Sequence, residues 1–498
     1  MENLRDRTLS GIGWSGIAHV VRQLLLFIVS VILARLLSPR EFGLIAMVIV
    51  FTGFAELFGD MGLGAALIQK LNLKRSHLSS VFWVNLITGV VLTGVVIAIA
   101  PLIASFYGEP ALKALAMVIA INFFIGSFKA VQNALLQKEM NFRKIAVVEI
   151  SAALIAGTVA VSMALFGFGV WSLVAQSIVL TTISVIALWF LSPWRPEFSL
   201  DFKALKELLG FSSNLLGFNV LNYWIRNLDN LLIGKFIGSS PLGIYSRAYS
   251  LMLLPVSQIS RIVSRVMFPA LSSIQKDIVK VKSIYLRSTR IIALVTFPMM
   301  AGLFVLAEPF ILAVLGSKWS EVIPILRLFC ITGMGQSIGT TVGWIYTSQG
   351  RTDIQFKWGI CSGIVRTVAF IIGLHWGILG VASAYVLSGY IILWYPAWAI
   401  PGRLIKLKFS EMLKNIMGTF FCAITMGTGM WAFNFLLPQE LPHWVYLVIL
   451  IPIGIIVYFV MVHLFKLKSY IDVKQLLKEY RHNRFKNSGE HTTEVSNE

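Results

Sequence analysis

The sequence predicts an all-α polytopic membrane protein: about fourteen transmembrane helices, in two pseudo-symmetric six-helix lobes followed by two C-terminal helices. Apolar residues make up 57% of the 498-residue chain and charged residues 13%. The mean hydropathy is +0.79. A soluble domain of this size needs far more charge to cover its surface. Long apolar stretches recur along the chain, each near the ~20 residues that cross a hydrocarbon core as a helix. Two sequence motifs also recur, one copy in each half of the chain.

The first lobe, residues 1–191, holds six apolar stretches at 10–34, 42–62, 80–106, 111–134, 144–166 and 169–191. The N-terminal ten residues are polar and precede no short apolar core with a small-residue cleavage site. The first stretch is therefore read as a retained helix. It carries Arg22 beside Gln23. The second places Thr52, Glu56 and Asp60 at four-residue steps, which is one helical face. The fourth carries Asn122, Lys129 and Asn133, and the fifth carries Glu149.

Residues 192–210 read as a cytoplasmic linker between lobes. The second lobe, residues 211–400, has stretches at 211–236, 242–268, 286–307, 321–347, 355–375 and 378–400. The first of these sets Asn219, Asn222, Arg226, Asp229 and Asn230 at three- and four-residue steps, again one face. The next places Arg247, Gln258, Arg261 and Arg265 near whole numbers of turns apart. Arg327 and Arg366 lie in the stretches at 321–347 and 355–375. Residues 309–316 are apolar but too short to span and are expected at the interface. Residues 401–466 hold the two appended helices, at 412–436 and 443–465. Residues 467–498 form a basic cytoplasmic tail with a modest amphipathic pattern through Tyr470, Val473, Leu477 and Tyr480, and a polar end.

The repeats fix the arrangement. Leu33-Ala-Arg-Leu-Leu-Ser-Pro-Arg-Glu-Phe-Gly-Leu44 matches Ile233-Gly-Lys-Phe-Ile-Gly-Ser-Ser-Pro-Leu-Gly-Ile244, with Gly43 opposite Gly243. Each copy joins the first helix of a lobe to its second. Residues 166–175 resemble 375–384, joining the fifth helix to the sixth. An even helix count per copy makes these parallel repeats, and transporter sites sit between such halves near the midplane.

Lys and Arg set the orientation. The connections carrying Lys70, Lys74, Arg75, Lys138, Arg143 and Lys144, with those at 192–210, 276–290 and 403–414, face one side. The other side has only Arg35, Arg40, Lys113, Lys235 and Lys318. A bias of roughly five to one puts both termini in the cytoplasm and requires an even number of spans. The formal net charge of +19 is explained the same way, so nucleic acid is not an expected partner. Cys330, Cys361 and Cys422 are widely spaced in apolar stretches and form neither a metal-ligand pattern nor a disulfide framework. No external loop exceeds about a dozen residues, which leaves no room for a catalytic domain, and the chain is expected not to be an enzyme.

The charges inside the spans point to chemistry. Each costs roughly 2.5–3.5 kcal/mol at mid-membrane on insertion scales, so it normally faces water or a partner. The bland alternatives stay open. Lys129, Arg247, Arg265 and Arg327 can snorkel; Arg226 and Asp229 can pair one turn apart; Asn and Gln can glue helices. Cations outnumber acids about two to one, and arginine forks match phosphate oxygens. The expected substrate is therefore anionic, such as a diphosphate carrying sugars. Arg22, Arg226, Arg261, Arg366, Asn222 and Lys129 are the candidate substrate-binding residues. Asp229, Glu56, Asp60 and Glu149 are candidates for an ion-coupling or switch role, with a proton or sodium ion and no other cofactor. An ion-coupled drug or metabolite antiporter of the same fold is the alternative, and it would want an acid-rich cavity in the first lobe.

Several motifs carry a family likeness. Trp14-Ser15, Gln23 and the run 33–44 resemble the polysaccharide-transport branch of the multidrug/oligosaccharidyl-lipid/polysaccharide flippase superfamily. So do Glu56-Leu-Phe-Gly-Asp-Met-Gly-Leu-Gly64, Phe82-Trp-Val-Asn85 and Leu191-Ser-Pro-Trp-Arg-Pro196. Asn222-Tyr-Trp-Ile-Arg-Asn-Leu-Asp-Asn-Leu-Leu-Ile-Gly234 with Tyr245-Ser-Arg-Ala-Tyr249 is similar to the subgroup of colanic-acid and teichuronic-acid exporters. The likeness runs over residues 5–400. It implies alternating access through a central cavity, flipping of an undecaprenyl-diphosphate-linked oligosaccharide across a bacterial inner membrane, and Asp229 as the in-membrane acid of the seventh span. The implied partners are a lipid-linked anionic glycan, membrane lipid, and the polysaccharide polymerase and chain-length machinery.

Overall fold

The computed structural model describes residues 2–59, 62–70, 72–201, 212–438, 440–472 and 474. For residues 2–15, 17–19, 212–219, 221, 260–262, 264–266, 268 and 269 it describes the backbone alone. Asp60, residues 202–210 of the expected linker, and residues 473 and 475–498 of the expected basic tail lie outside the described residues. Among the described residues every regular element is a helix. Inside lipid each backbone N–H and C=O must find its partner within the chain, and a helix supplies it locally.

The first half runs α1 (Glu2–Leu36), α2 (Pro39–Glu56), α3 (Leu63–Gln69), α4 (Arg75–Tyr107), α5 (Ala111–Ser127), α6 (Ala130–Lys138), α7 (Phe142–Leu165) and α8 (Trp171–Leu191). Next come α9 (Ser212–Phe236), α10 (Ser239–Ser273), α11 (Ile278–Val305), α12 (Ala307–Val314), α13 (Val322–Gly339), α14 (Val342–Ser348) and α15 (Thr352–Gly373). The chain closes with α16 (Gly377–Leu387), α17 (Trp394–Leu404), α18 (Phe409–Leu436) and α19 (His443–Leu464). Each of the fourteen expected stretches is therefore helical, in one piece or broken. Eight helices among the described residues are long and apolar enough to cross a membrane, or nine if the bent pair α5–α6 counts as one span. One of the eight is the run Thr352–Leu404, at 53 residues. At 1.5 Å per residue it is far longer than one ~30 Å crossing. It folds back at Gly377, where φ is +66°. The backbones of Gly373 and Gly380 pack against each other across that turn.

Local chemistry sets the helix ends. Glu41 Oε2 accepts from the Ser38 backbone N–H at 2.6 Å and from its hydroxyl at 2.9 Å, which closes a capping box in front of Pro39. Asn141 caps α7 by accepting from the Lys144 N–H, and Asp277 caps α11 by accepting from that of Lys280. The expected stretch 42–62 is shorter than one continuous helix. It stops at Glu56, turns through Leu57–Gly59, and restarts at α3 behind Gly62, whose φ is +77°. Expected stretch 111–134 breaks at Phe128–Lys129, where α5 and α6 meet at 45°. The short apolar segment at 309–316 forms its own helix, α12.

Contacts divide the chain into two compact units, Met1–Ser246 and Arg247–Glu498. In the first, α1 packs on α7, α7 on α8, α8 on α5 and α5 on α4, while α2 lies against α5 and α9. In the second, α11 packs between α13 and α18 over a core including Tyr285, Trp398 and Met426. There the Tyr285 hydroxyl meets Thr341 Oγ1 at 2.9 Å.

Candidate functional site

A cavity of about 690 Å³ opens inside the first unit, walled by α2, α3, α4, α5, α6 and α8. That volume is in the range of small-molecule sites. Its polar walls come from helices that are otherwise apolar. Thr52 and Glu56 stand one turn apart at the end of α2, on the wall. The break between α5 and α6 then matters. It places Lys129 at the start of α6, and Asn133 and Gln137 follow at four-residue steps along the same wall. From α5, Asn122 reaches across to α8, where its Nδ2 donates to Ser177 Oγ at 3.0 Å. From α4, Asn85 is only 1% exposed and lines the same space.

Two amide atoms on these walls have no hydrogen-bond partner: Asn85 Nδ2 and Asn122 Oδ1. Both atoms are buried from solvent, where polar atoms are nearly always satisfied. Among the described lining residues Glu56 is the one carboxylate and Lys129 the one cation. The wall is close to neutral and rich in amides and hydroxyls.

The structure thus brings together Glu56, Lys129, Asn122, Asn133 and Thr52 of the residues singled out in sequence. It places the others elsewhere. Arg22 of α1 faces Glu149 of α7, with Nη1 and Oε2 3.8 Å apart and both side chains partly exposed. Asn222 and Arg226 are exposed on α9. Asp229, two turns beyond Asn222, is 9% exposed. Its Oδ2 accepts from the Tyr245 hydroxyl at 2.9 Å, and its Oδ1 from the Asn230 N–H at 2.8 Å. In the second unit the Arg366 guanidinium lies 5.1 Å over the Tyr385 ring. Its Nε is buried without a hydrogen-bond partner. Cation–π contact satisfies the charge in part. Asp60 and the side chain of Arg261 lie outside the described residues.

Sequence reasoning named Asn85 and Tyr245 only as parts of motifs and passed over Ser177 and Tyr385. A lone amide in the apolar run of α4 is a signal that could have been read, since such residues are expensive in lipid. Ser177 and the two tyrosines carry no such signal.

A second group of contacts ties α9 and the start of α10 to α2 and α4. Glu109 accepts from Arg40 Nη2 at 3.0 Å and from Ser239 Oγ at 2.8 Å. Lys235 Nζ donates to the Phe106 carbonyl and sits over the Phe106 ring. The Tyr223 hydroxyl meets the carbonyls of Ile49 and Val50 at 3.0 and 2.8 Å.

Comparison with known proteins agrees with this architecture. The profile of a family described as "Polysaccharide biosynthesis protein" matches residues 32–324, more than half the chain. "Teichuronic acid biosynthesis protein TuaB" of Bacillus subtilis (strain 168) is 29% identical over 444 residues, covering 88% of this chain and 91% of that protein. "Lipopolysaccharide biosynthesis protein WzxC" of Escherichia coli (strain K12) is 29% identical over 392 residues, covering 77% of this chain and 79% of that one. Among solved structures, "Lipid II flippase MurJ, inward closed conformation" superposes with a TM-score of 0.74 at 17% identity, over 91% of this chain and 98% of that one. At that identity the likeness speaks for the fold.

Proposed function

Because the chain belongs to the polysaccharide biosynthesis protein family, in the polysaccharide-transport branch of its flippase superfamily, we propose that it translocates an undecaprenyl-diphosphate-linked oligosaccharide across a bacterial inner membrane. The observation that carries the reading is the polar cavity set within membrane-type helices. Glu56, Lys129, Asn85 and Asn122 line it. A purely structural bundle gains nothing from leaving amides unsatisfied there.

In this reading Arg22, Arg226, Arg261 and Arg366 hold the diphosphate or acidic sugars, because arginine offers planar paired donors to phosphate oxygens. Arg366 adds the support of a buried guanidinium Nε with no hydrogen-bond partner. Asp229, Glu56, Asp60 and Glu149 are the candidates for proton or sodium coupling. Both termini lie in the cytoplasm, and the exported glycan passes to the polymerase and chain-length machinery. The protein acts as a carrier, making and breaking no covalent bond.

The reading is tested by replacing Arg226 and Arg366 with alanine. Both variants should reach the membrane in normal amount and lose surface glycan. Normal surface glycan in both would remove these arginines from the pathway. A drug or metabolite antiporter of the same fold has Glu56 in its favour, since that carboxylate faces the cavity. It predicts inhibitor hypersensitivity, with unchanged glycan, in a strain lacking the protein.

A further inference from the structure

We infer that the cavity in the first unit is a subsite for an uncharged sugar ring, separate from the arginines assigned to the diphosphate. The inference rests on the flippase reading and adds the part of the substrate that this wall takes. Asn85 and Asn122 line the cavity from different helices, and each also has an amide atom, buried from solvent, with no hydrogen-bond partner. One is a donor and the other an acceptor. Ser177 Oγ, already accepting from Asn122, can still donate. A sugar hydroxyl donates and accepts at once, so it completes such a set whichever way each amide is turned.

Charge points the same way. A diphosphate calls for several cations, and the described wall offers Lys129 alone, opposed by Glu56. Phe123 supplies an apolar face of the kind on which the C–H side of a pyranose rests. A cavity of about 690 Å³ is in the size range of sites that enclose a small molecule.

The test uses the purified full-length chain in lipid nanodiscs. Saturation-transfer NMR is run with glucose, galactose, N-acetylglucosamine and glucuronate, in wild type and in Asn85→Leu, Asn122→Leu and Ser177→Ala. At least one neutral sugar should show saturation transfer. Binding should weaken by about tenfold or more in the two leucine variants. Asn85→Leu should hold or raise thermal stability, since it removes an unsatisfied buried amide and keeps similar volume. If it fails to fold, Asn122→Leu and Ser177→Ala decide. Sugar signals equal in wild type and folded variants, or absent throughout, would overturn the inference. The flippase reading fails separately: it falls if the deletion strain accumulates no lipid-linked glycan. The subsite falls if that strain accumulates it while Asn85→Leu and Asn122→Leu export normally.

Discussion

Gly43 and Gly243 meet backbone to backbone where the first turns of α2 and α10 cross. A Cβ on Gly43 would overlap the Ser239 carbonyl, and a Cβ on Gly243 would overlap the Pro39 carbonyl. The contact is reciprocal, with each repeat offering the same glycine to the same carbonyl of the other. Absence of side chains lets helices approach closely in lipid, where packing replaces the hydrophobic drive.

Alanine at either position should therefore be costly. Elsewhere in a helix, Gly→Ala gains roughly 0.5–1 kcal/mol. Here backbone would have to move, at a cost of about 1–3 kcal/mol or more. Gly43→Ala and Gly243→Ala should each lower the unfolding temperature by similar amounts in a fluorescence melt. Gly94→Ala, where no atom stands within 4 Å of the added methyl, should hold or raise it. Equal behaviour of all three would show that the crossing is loose.

Asp229 offers a second test. Its buried carboxylate depends on the Tyr245 hydroxyl and the Asn230 N–H. Tyr245→Phe removes one hydrogen bond to a charged acceptor and should destabilise by about 1–3 kcal/mol. Asp229→Asn keeps the shape and an acceptor but removes the charge. If Asp229 is a coupling or switch residue, Asp229→Asn abolishes export with little change in melting temperature. Export at the wild-type rate in that variant would reduce Asp229 to a structural role.

The pair of Arg22 and Glu149 should contribute little to stability. At 3.8 Å, with both side chains over a third exposed, it is a loose pair, and facing a water-filled path it belongs to the class worth about 0–1 kcal/mol. Arg22→Ala and Glu149→Ala should melt close to wild type. Loss of export in Arg22→Ala with an unchanged melt then identifies a substrate contact, and unchanged export removes Arg22 from the binding set.

Orientation can be read with a single cysteine. In a variant without native cysteines, Lys113→Cys, exposed at the start of α5, should react with an impermeant maleimide added outside intact spheroplasts. Arg143→Cys, exposed at the start of α7, should react only after the membrane is opened. The reverse pattern would invert the topology.

Much of the fold was legible because lipid makes hydropathy decisive. The apolar stretches became helices almost where they were placed, and the repeat at Gly43 and Gly243 turned out to mark a real backbone contact. The breaks were not legible. Nothing in the run 111–134 announces a 45° bend at Phe128–Lys129, and the bend is what turns Lys129, Asn133 and Gln137 onto the cavity wall. The candidate site was legible only in part. Charge in an apolar stretch drew attention to Glu56 and Lys129, which share the cavity. It drew the same attention to Arg22 and Glu149, which face each other. Asn85 and Ser177 carry no charge, and their importance depends on which helices meet, which a local pattern does not encode.

The most direct test of the central claim is the lipid-linked glycan pool of cells lacking this protein, extracted and sized by mass spectrometry. The account predicts that one undecaprenyl-diphosphate oligosaccharide accumulates, on the cytoplasmic face, while the surface polymer disappears. An unchanged pool with normal surface polymer, in a strain with no second flippase, would contradict it.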